Sequence, residues 1–216
     1  MAEATNGNGG AVLVERTVTL SDAVVSIAMT LLVLPLVDLV GDLDPNDVWP
    51  GVREHRDVFL GFLLSFLVIH GFWRAHHGVF VLAQRLPGPP RVLGGLNMLW
   101  LLVIAFLPFP TALIGKHATT STTPLYIGTM FALSALTSAM YQSVQRTAPD
   151  DARAPASVPA RLARRLMLAW WATAVFGVCA LISTRSPDGG LYGLLVIVVV
   201  RFVASRGARV TGRPPA

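Results

Sequence analysis

Long apolar runs separated by short polar or turn-rich connections dominate the chain. Six such runs predict membrane-spanning helices, at residues 17–40, 57–82, 92–114, 123–145, 162–183 and 190–204. The hydrocarbon core of a bilayer is crossed by about 20 apolar residues of α-helix. The pattern therefore predicts an all-α integral membrane protein with six transmembrane helices per subunit and almost no soluble structure.

The segments outside these runs are short and polar. We expect residues 1–15 to form a disordered cytoplasmic tail, 16–205 the membrane domain and 206–216 a basic cytoplasmic tail. The first 15 residues lack the apolar centre of a cleavable signal peptide, so the first run is expected to direct insertion. Within that run, Pro35 removes a backbone donor, and we expect the helix to kink or end there.

Composition supports a membrane protein. Hydrophobic residues make up 53% of the chain and charged residues 13%, whereas soluble domains carry about a quarter charged residues. The net charge is +5, but the basic side chains lie in loops and tails, where they orient a membrane protein; we therefore expect no nucleic-acid partner. The single cysteine, Cys179, excludes an internal disulfide and a thiolate metal site.

The distribution of basic residues predicts the orientation of the chain. With six spans, 13 of the 17 basic residues fall on one side of the membrane, and the positive-inside rule makes that side cytoplasmic. Both termini lie on the same side, while the acidic first loop, which contains Asp42, Asp44 and Asp47, lies outside.

The first apolar run carries the most informative pattern, a polar entrance followed by an apolar stripe at helical spacing. The entrance and the stripe comprise, in order, Arg16, Ser21, Asp22, Ile27, Thr30, Leu31 and Leu34. The helical rise from the first to the last residue of the stripe is about 10 Å. The stripe fits either a narrow dry neck in an ion pathway or ordinary packing against lipid and neighbouring helices.

Polar side chains in the first three runs require partners, because buried polar groups are normally hydrogen-bonded. The residues expected to form an interhelical network that holds the first helix are Arg16, Ser21, Asp22, Trp73, His77 and Asn97. Direct contact of Arg16 or Asp22 with ions is the alternative. Asp38 follows Leu34 by four residues, and it fits either an acidic ring at the outer mouth or an exposed carboxylate at a loop edge.

The sequence contains none of the common catalytic or cofactor-binding signatures. It lacks Gly-x-Ser-x-Gly, His-Glu-x-x-His and the phosphate-binding loop, so we expect neither an enzyme nor a cofactor. His70, His76 and His77 have no carboxylate or cysteine in their run to complete a metal site. The re-entrant Thr-Val-Gly-Tyr-Gly filter of familiar potassium channels is also missing.

Three groups of residues together resemble the transmembrane protein 175 family. They are Arg16-x-x-x-Leu20-Ser21-Asp22 with Ile27 and 30–34, Leu64-Ser65-Phe66 with 72–77, and Leu96-Asn97 with 106–111. The resemblance covers the first half of the chain closely and the second half in span count. Leu20 departs from the family pattern, which usually has Phe at this position.

The resemblance implies a potassium-permeable channel of a bacterial plasma membrane, with six spans per subunit and a homotetrameric assembly. The first helix is then expected to line a central pore. Ile27 would begin the constriction, Leu31 and Leu34 would form the next apolar layers, and Thr30 would contribute to selectivity. The expected partners are potassium ions and the lipid bilayer.

Two other functions stay open from the sequence. A proton channel or proton-coupled transporter could use Asp22 and the histidines of the second run, and its flux would depend steeply on pH. A membrane-embedded assembly protein would show no flux, and substitutions in the stripe would change only its stability.

Overall fold

The computed structural model describes residues 3–86, 88, 90–116, 118–147 and 157–190, with the side chains of 3–13, 116 and 157–162 excepted. The described chain is helical. Its α-helices are α1 (Glu3–Leu31), α2 (Leu34–Asp38), α3 (Val48–Glu54), α4 (Arg56–Ala83), α5 (Val92–Phe106), α6 (Pro108–Lys116), α7 (Thr122–Thr147) and α8 (Ser157–Ser183). A 3₁₀ turn at Leu39–Asp42 follows α2.

Proline ends the first long helix, as the sequence predicts. Helix α1 stops at Leu31, and α2 begins at Leu34 with Pro35 in its first turn. Because Pro35 has no N–H, it cannot donate to the carbonyl of Leu31. The chain continues through tighter bonds instead, with the amide of Val33 donating to the carbonyl of Thr30 at 3.2 Å.

A second proline divides the third apolar run. The sequence predicts one helix over 92–114, whereas the structure has α5 and α6, which meet at Leu107. Pro108 is the first residue of α6, a position that favours proline because its missing N–H has no partner within the helix. Leu107 is fully buried, so the junction packs within the core.

The N-terminal segment differs from its expected description. Helix α1 begins at Glu3, within the segment 1–15 for which the sequence predicts a disordered tail. Helix α8 also begins before the predicted span 162–183, at Ser157.

Helix α7 lies at the centre of the described bundle, packed against α4, α5, α6 and α8. Helix α1 packs against α4, α5 and α6. The core between these helices contains fully buried large side chains, among them Ile69, Trp100, Ile104, Tyr126 and Met130. Helix α1 therefore sits on a scaffold of α4 to α6, with α8 attached through α7.

Four stretches of the described chain are long and apolar enough to cross a membrane. They are Val14–Asp42, Arg56–Ala83, Val92–Gly115 and Ala163–Ser183. The predicted span 123–145 is present as helix α7 but is not among the four, and the predicted span 190–204 lies almost entirely outside the described residues. The count of six spans thus stays a prediction.

Buried polar side chains explain the lower hydropathy of α7. The hydroxyl of Thr173 lies 2.9 Å from that of Ser134 and 3.0 Å from that of Ser138, which joins α7 to α8. The indole of Trp100 donates to Thr137 Oγ1 at 3.1 Å, which joins α7 to α5. A helix surrounded by protein can carry such groups because neighbouring helices supply their partners.

Candidate ion pathway and its supporting network

The apolar stripe predicted on the first helix lies at the surface of the subunit. Ile27 is 60% exposed, Leu34 53% and Leu31 40%, and Thr30 is also exposed. Such exposure of large apolar side chains requires a covering of lipid or of other subunits, because water would be an unfavourable neighbour.

The opposite face of α1 is closely packed. Ser21, Val25, Ala28 and Leu32 are each at most 3% exposed, and they follow one another at intervals of three or four residues. This spacing places them on one side of the helix, against α4, α5 and α6. The buried face therefore fixes which side of α1 points away from the subunit.

A row of hydroxyl groups runs along one side of α1 and reaches the stripe at Ser26 and Thr30. Thr19, Ser26 and Thr30 are exposed, and each side chain donates to a backbone carbonyl on its own helix. The Thr30 hydroxyl, for example, lies 2.7 Å from the carbonyl of Ile27. Because the hydrogen is used within the helix, the oxygen can offer its lone pairs to a cation or to water.

One hydrogen-bond cluster joins α1 to α4 and α5. The Asn97 side-chain oxygen lies 3.3 Å from the Ser21 hydroxyl, which donates to it, and 2.6 Å from Nε2 of His76. All three side chains are buried, and the His76 ring stacks on Trp100 with ring centroids 4.1 Å apart. A single amide oxygen therefore connects three helices.

A second contact joins the same helices near the entrance. The indole N–H of Trp73 donates to a carboxylate oxygen of Asp22 at 2.7 Å. The rings of His70 and His77 lie on either side of Trp73 in the sequence, with centroids 5.6 Å and 5.9 Å from its ring. Asp22 is thus positioned by α4 rather than by Arg16, which is exposed and makes no hydrogen bond or ion pair with the described part of the chain.

The structure brings together four of the six residues expected in the network, Ser21, Asp22, Trp73 and Asn97. His77 is exposed and contacts Trp73, whereas its neighbour His76 bonds to Asn97. Helical periodicity could have indicated that His76 is the buried histidine, because it falls on the face of α4 that also buries Phe72 and Val79. The hydroxyls of Thr19 and Ser26 were missing from the predicted site.

Asp38 ends α2 and is exposed, four residues beyond Leu34. Its place at the far end of the stripe fits the predicted outer mouth, and that role stays a prediction. Within the described residues, no group of three His, Cys, Asp or Glu side chains is arranged to hold a metal ion.

This geometry defines an α-helical membrane protein in which an exposed helix is braced by its neighbours. Residues 16–108 match the family model described as endosomal/lysosomal potassium channel TMEM175, so the resemblance to the transmembrane protein 175 family is confirmed for this part of the chain. The match includes residues 16–31 of α1 and all of α4 and α5, whose contacts form the candidate site.

Two curated relatives match a similar length. A potassium channel of Streptomyces collinus is 35% identical over 102 residues, which cover 47% of this chain and 48% of the relative. A potassium channel of Chamaesiphon minutus is 34% identical over 110 residues, which cover 47% and 49%. The chain therefore spans about half the length of the curated relatives it matches. Both are named channels rather than enzymes.

A solved structure matches most of the fold. The crystal structure of a lysosomal potassium-selective channel TMEM175 homologue from Chamaesiphon minutus superposes with a TM-score of 0.71. The match covers 89% of this chain and 97% of that chain, at 22% sequence identity. The similarity in fold thus extends beyond residues 16–108, which the family model matches.

Proposed function

We propose that this chain is the subunit of a potassium-permeable channel and that α1 from four copies surrounds a common pore. The observation that carries the proposal is the exposed stripe of Ile27, Leu31 and Leu34, on a helix whose opposite face is buried. The names of the two relatives and of the channel whose crystal structure matches the fold support potassium as the ion.

The hydroxyl row favours an ion pathway over a surface that faces only lipid. Thr19, Ser26 and Thr30 lie on one side of α1 at intervals of seven and four residues, and Ser26 and Thr30 adjoin the stripe. In a ring of four helices, their oxygens would border the same path as the apolar side chains. They would replace part of the water that a cation loses as it enters the neck.

Dehydration then provides selectivity without a carbonyl filter. Four Ile27 side chains would form a dry constriction that opens when the helices move apart slightly, as apolar gates do by wetting. Potassium gives up its water more readily than sodium, so a neck that forces partial dehydration favours potassium. We expect this selectivity to be modest, because no close-fitting ring of carbonyl oxygens is involved.

The cluster around Asn97 would hold α1 in register while the pore helices move. Ser21 and His76 meet at the Asn97 oxygen, and Asp22 is bonded to Trp73. These contacts lie on the entrance side of the stripe, so the inner end of α1 would stay fixed to α4 and α5 while the part around Ile27 adjusts.

The test is potassium and sodium flux from liposomes that contain the purified protein. We expect wild type to pass potassium in preference to sodium. Ile27→Ala and Ile27→Asn should raise the flux and reduce the preference, by about tenfold for a barrier lowered by about 1.4 kcal/mol. Leu102→Ala is the matched control, because Leu102 is 66% exposed on α5, away from the stripe. A clear flux that Ile27 substitutions leave unchanged would contradict the proposal.

A proton pathway is the second candidate. The observation that favours it is the position of Trp73, bonded to Asp22 and flanked by the rings of His70 and His77. Carboxylate and imidazole groups within one cluster can relay protons. Wild type would then acidify liposomes without passing potassium, and His77→Ala would abolish that flux while Ile27→Ala would not.

A further inference from the structure

The end of the bundle where α4 and α7 finish and α8 begins carries exposed arginines, among them Arg85, Arg146, Arg164 and Arg165. Asp150 and Asp151, between α7 and α8, lie outside the described residues. The chain has no Asp or Glu between Asp57 and Asp150, and none between Asp151 and Asp188. Among the described residues, one ion pair is formed, between Arg56 and Asp57 at the opposite end of α4. No described carboxylate therefore neutralises the arginines at the start of α8.

One of these arginines lies against the backbone of α4. A β-carbon on Gly78 would lie 2.8 Å from Nη1 of Arg165 and 2.8 Å from the hydroxyl oxygen of Tyr141. The Tyr141 hydroxyl donates to the carbonyl of Ala75 at 2.9 Å. The guanidinium of Arg165 thus occupies the space that glycine leaves open, beside a fixed hydroxyl at the α4–α7 contact.

The neighbouring arginine begins an exposed face of α8. Arg164, Leu168 and Trp171 are exposed and follow one another at intervals of four and three residues, so they share one side of the helix. The rise from Arg164 to Trp171 is about 10 Å. Trp171 is 65% exposed. Cationic groups at the end of a span, with tryptophan about two turns further in, fit the boundary between phosphate groups and acyl chains.

We propose that Arg164 and Arg165 bind the phosphate of an anionic phospholipid, with its acyl chains beside Leu168 and Trp171. Charge complementarity selects an anionic lipid, since two guanidinium groups that form no ion pair with a described carboxylate adjoin an exposed apolar surface of α8. Both side chains are exposed; the guanidinium of Arg165 lies over Gly78 and provides the positioned part of the site, and Arg164 provides the second cation. The proposal is independent of ion conduction, because bound lipid is its readout.

The test is native mass spectrometry of the purified full-length protein with added phosphatidylglycerol or phosphatidylcholine. We expect wild type to retain phosphatidylglycerol in preference. Arg164→Ala and Arg165→Ala should each weaken that binding about fivefold, as for one basic residue near a membrane surface. Arg185→Ala, which removes the same charge at the other end of α8, should leave the binding unchanged.

Two glycine substitutions test whether the open space beside Gly78 positions the guanidinium of Arg165. Gly78→Ala should weaken phosphatidylglycerol binding, because the added methyl displaces the guanidinium. Gly71→Ala should have no effect, since a β-carbon there meets nothing within 4 Å. If Arg165→Ala prevents folding, the lipid binding of the Arg164→Ala variant tests the proposal instead. Equal retention of the two lipids by wild type would overturn the proposal. So would an equal loss of phosphatidylglycerol binding in Arg164→Ala and Arg185→Ala, or in Gly78→Ala and Gly71→Ala.

Discussion

At the scale of single residues, the side-chain oxygen of Asn97 connects polar groups of two other helices near the candidate pathway. The side-chain oxygen of Asn97 accepts a bond from Ser21 and lies 2.6 Å from His76. Removing an acceptor from a buried site leaves its donors without partners, which costs more than the bond itself contributes. Asn97 should therefore matter more to stability than its position in a highly apolar helix suggests.

We predict that Asn97→Leu lowers the free energy of unfolding by about 1 to 2 kcal/mol. The physical reason is the loss of the shared acceptor, which leaves the His76 ring nitrogen without its partner in the core. The Ser21 hydroxyl loses its contact with α5 but still donates to the carbonyl of Thr17 at 2.8 Å. Denaturation in mixed detergent micelles measures the effect. Met98→Leu is the control, because Met98 is exposed on the same helix. Equal stability of the two variants would show that the cluster contributes nothing.

At the scale of elements, the helices were predictable where apolar runs are long, and their ends were predictable where proline acts. The break before Pro35 followed from the sequence. The break at Leu107 was not predicted, although Pro108 gives the same local signal within an apolar run. Whether His76 or His77 bonds to Asn97 depends on which face of α4 is buried. That face is set by packing of α4 against α1, α6 and α7 and by the contacts of His76 with α5, which a single run of sequence does not determine.

We predict that Pro35→Ala makes α1 and α2 one continuous helix. The restored N–H can donate to the carbonyl of Leu31, so amide exchange at positions 33 to 37 should slow. Hydrogen exchange followed by mass spectrometry measures this change. Pro124→Ala is the control, because Pro124 lies in the first turn of α7, where no intrahelical donor is missing. Unchanged exchange in Pro35→Ala would mean that tertiary packing, rather than proline, ends α1.

At the scale of the whole molecule, the described subunit leaves its candidate pathway incomplete. Motifs in the first half of the chain predicted the resemblance to the family, which the match over residues 16–108 confirms. The similarity in fold to the solved structure covers 89% of the chain. The exposed stripe on α1 has no described partner within the subunit, and a pore requires several copies. The number of copies is not encoded in any residue pattern of one chain, since it depends on how the outer faces of α1 and its neighbours fit together.

The central claim is that Ile27 side chains from different copies converge on one ion path. The direct measurement is block of potassium flux by Cd²⁺ in Ile27→Cys liposomes, in a background where the buried Cys179 is replaced by Ala. A ring of thiolates is a strong site for a soft cation, so we predict block that a chelator reverses. Potassium flux through Leu102→Cys in the same background should not be blocked by Cd²⁺. Flux through Ile27→Cys that Cd²⁺ does not affect would contradict the account.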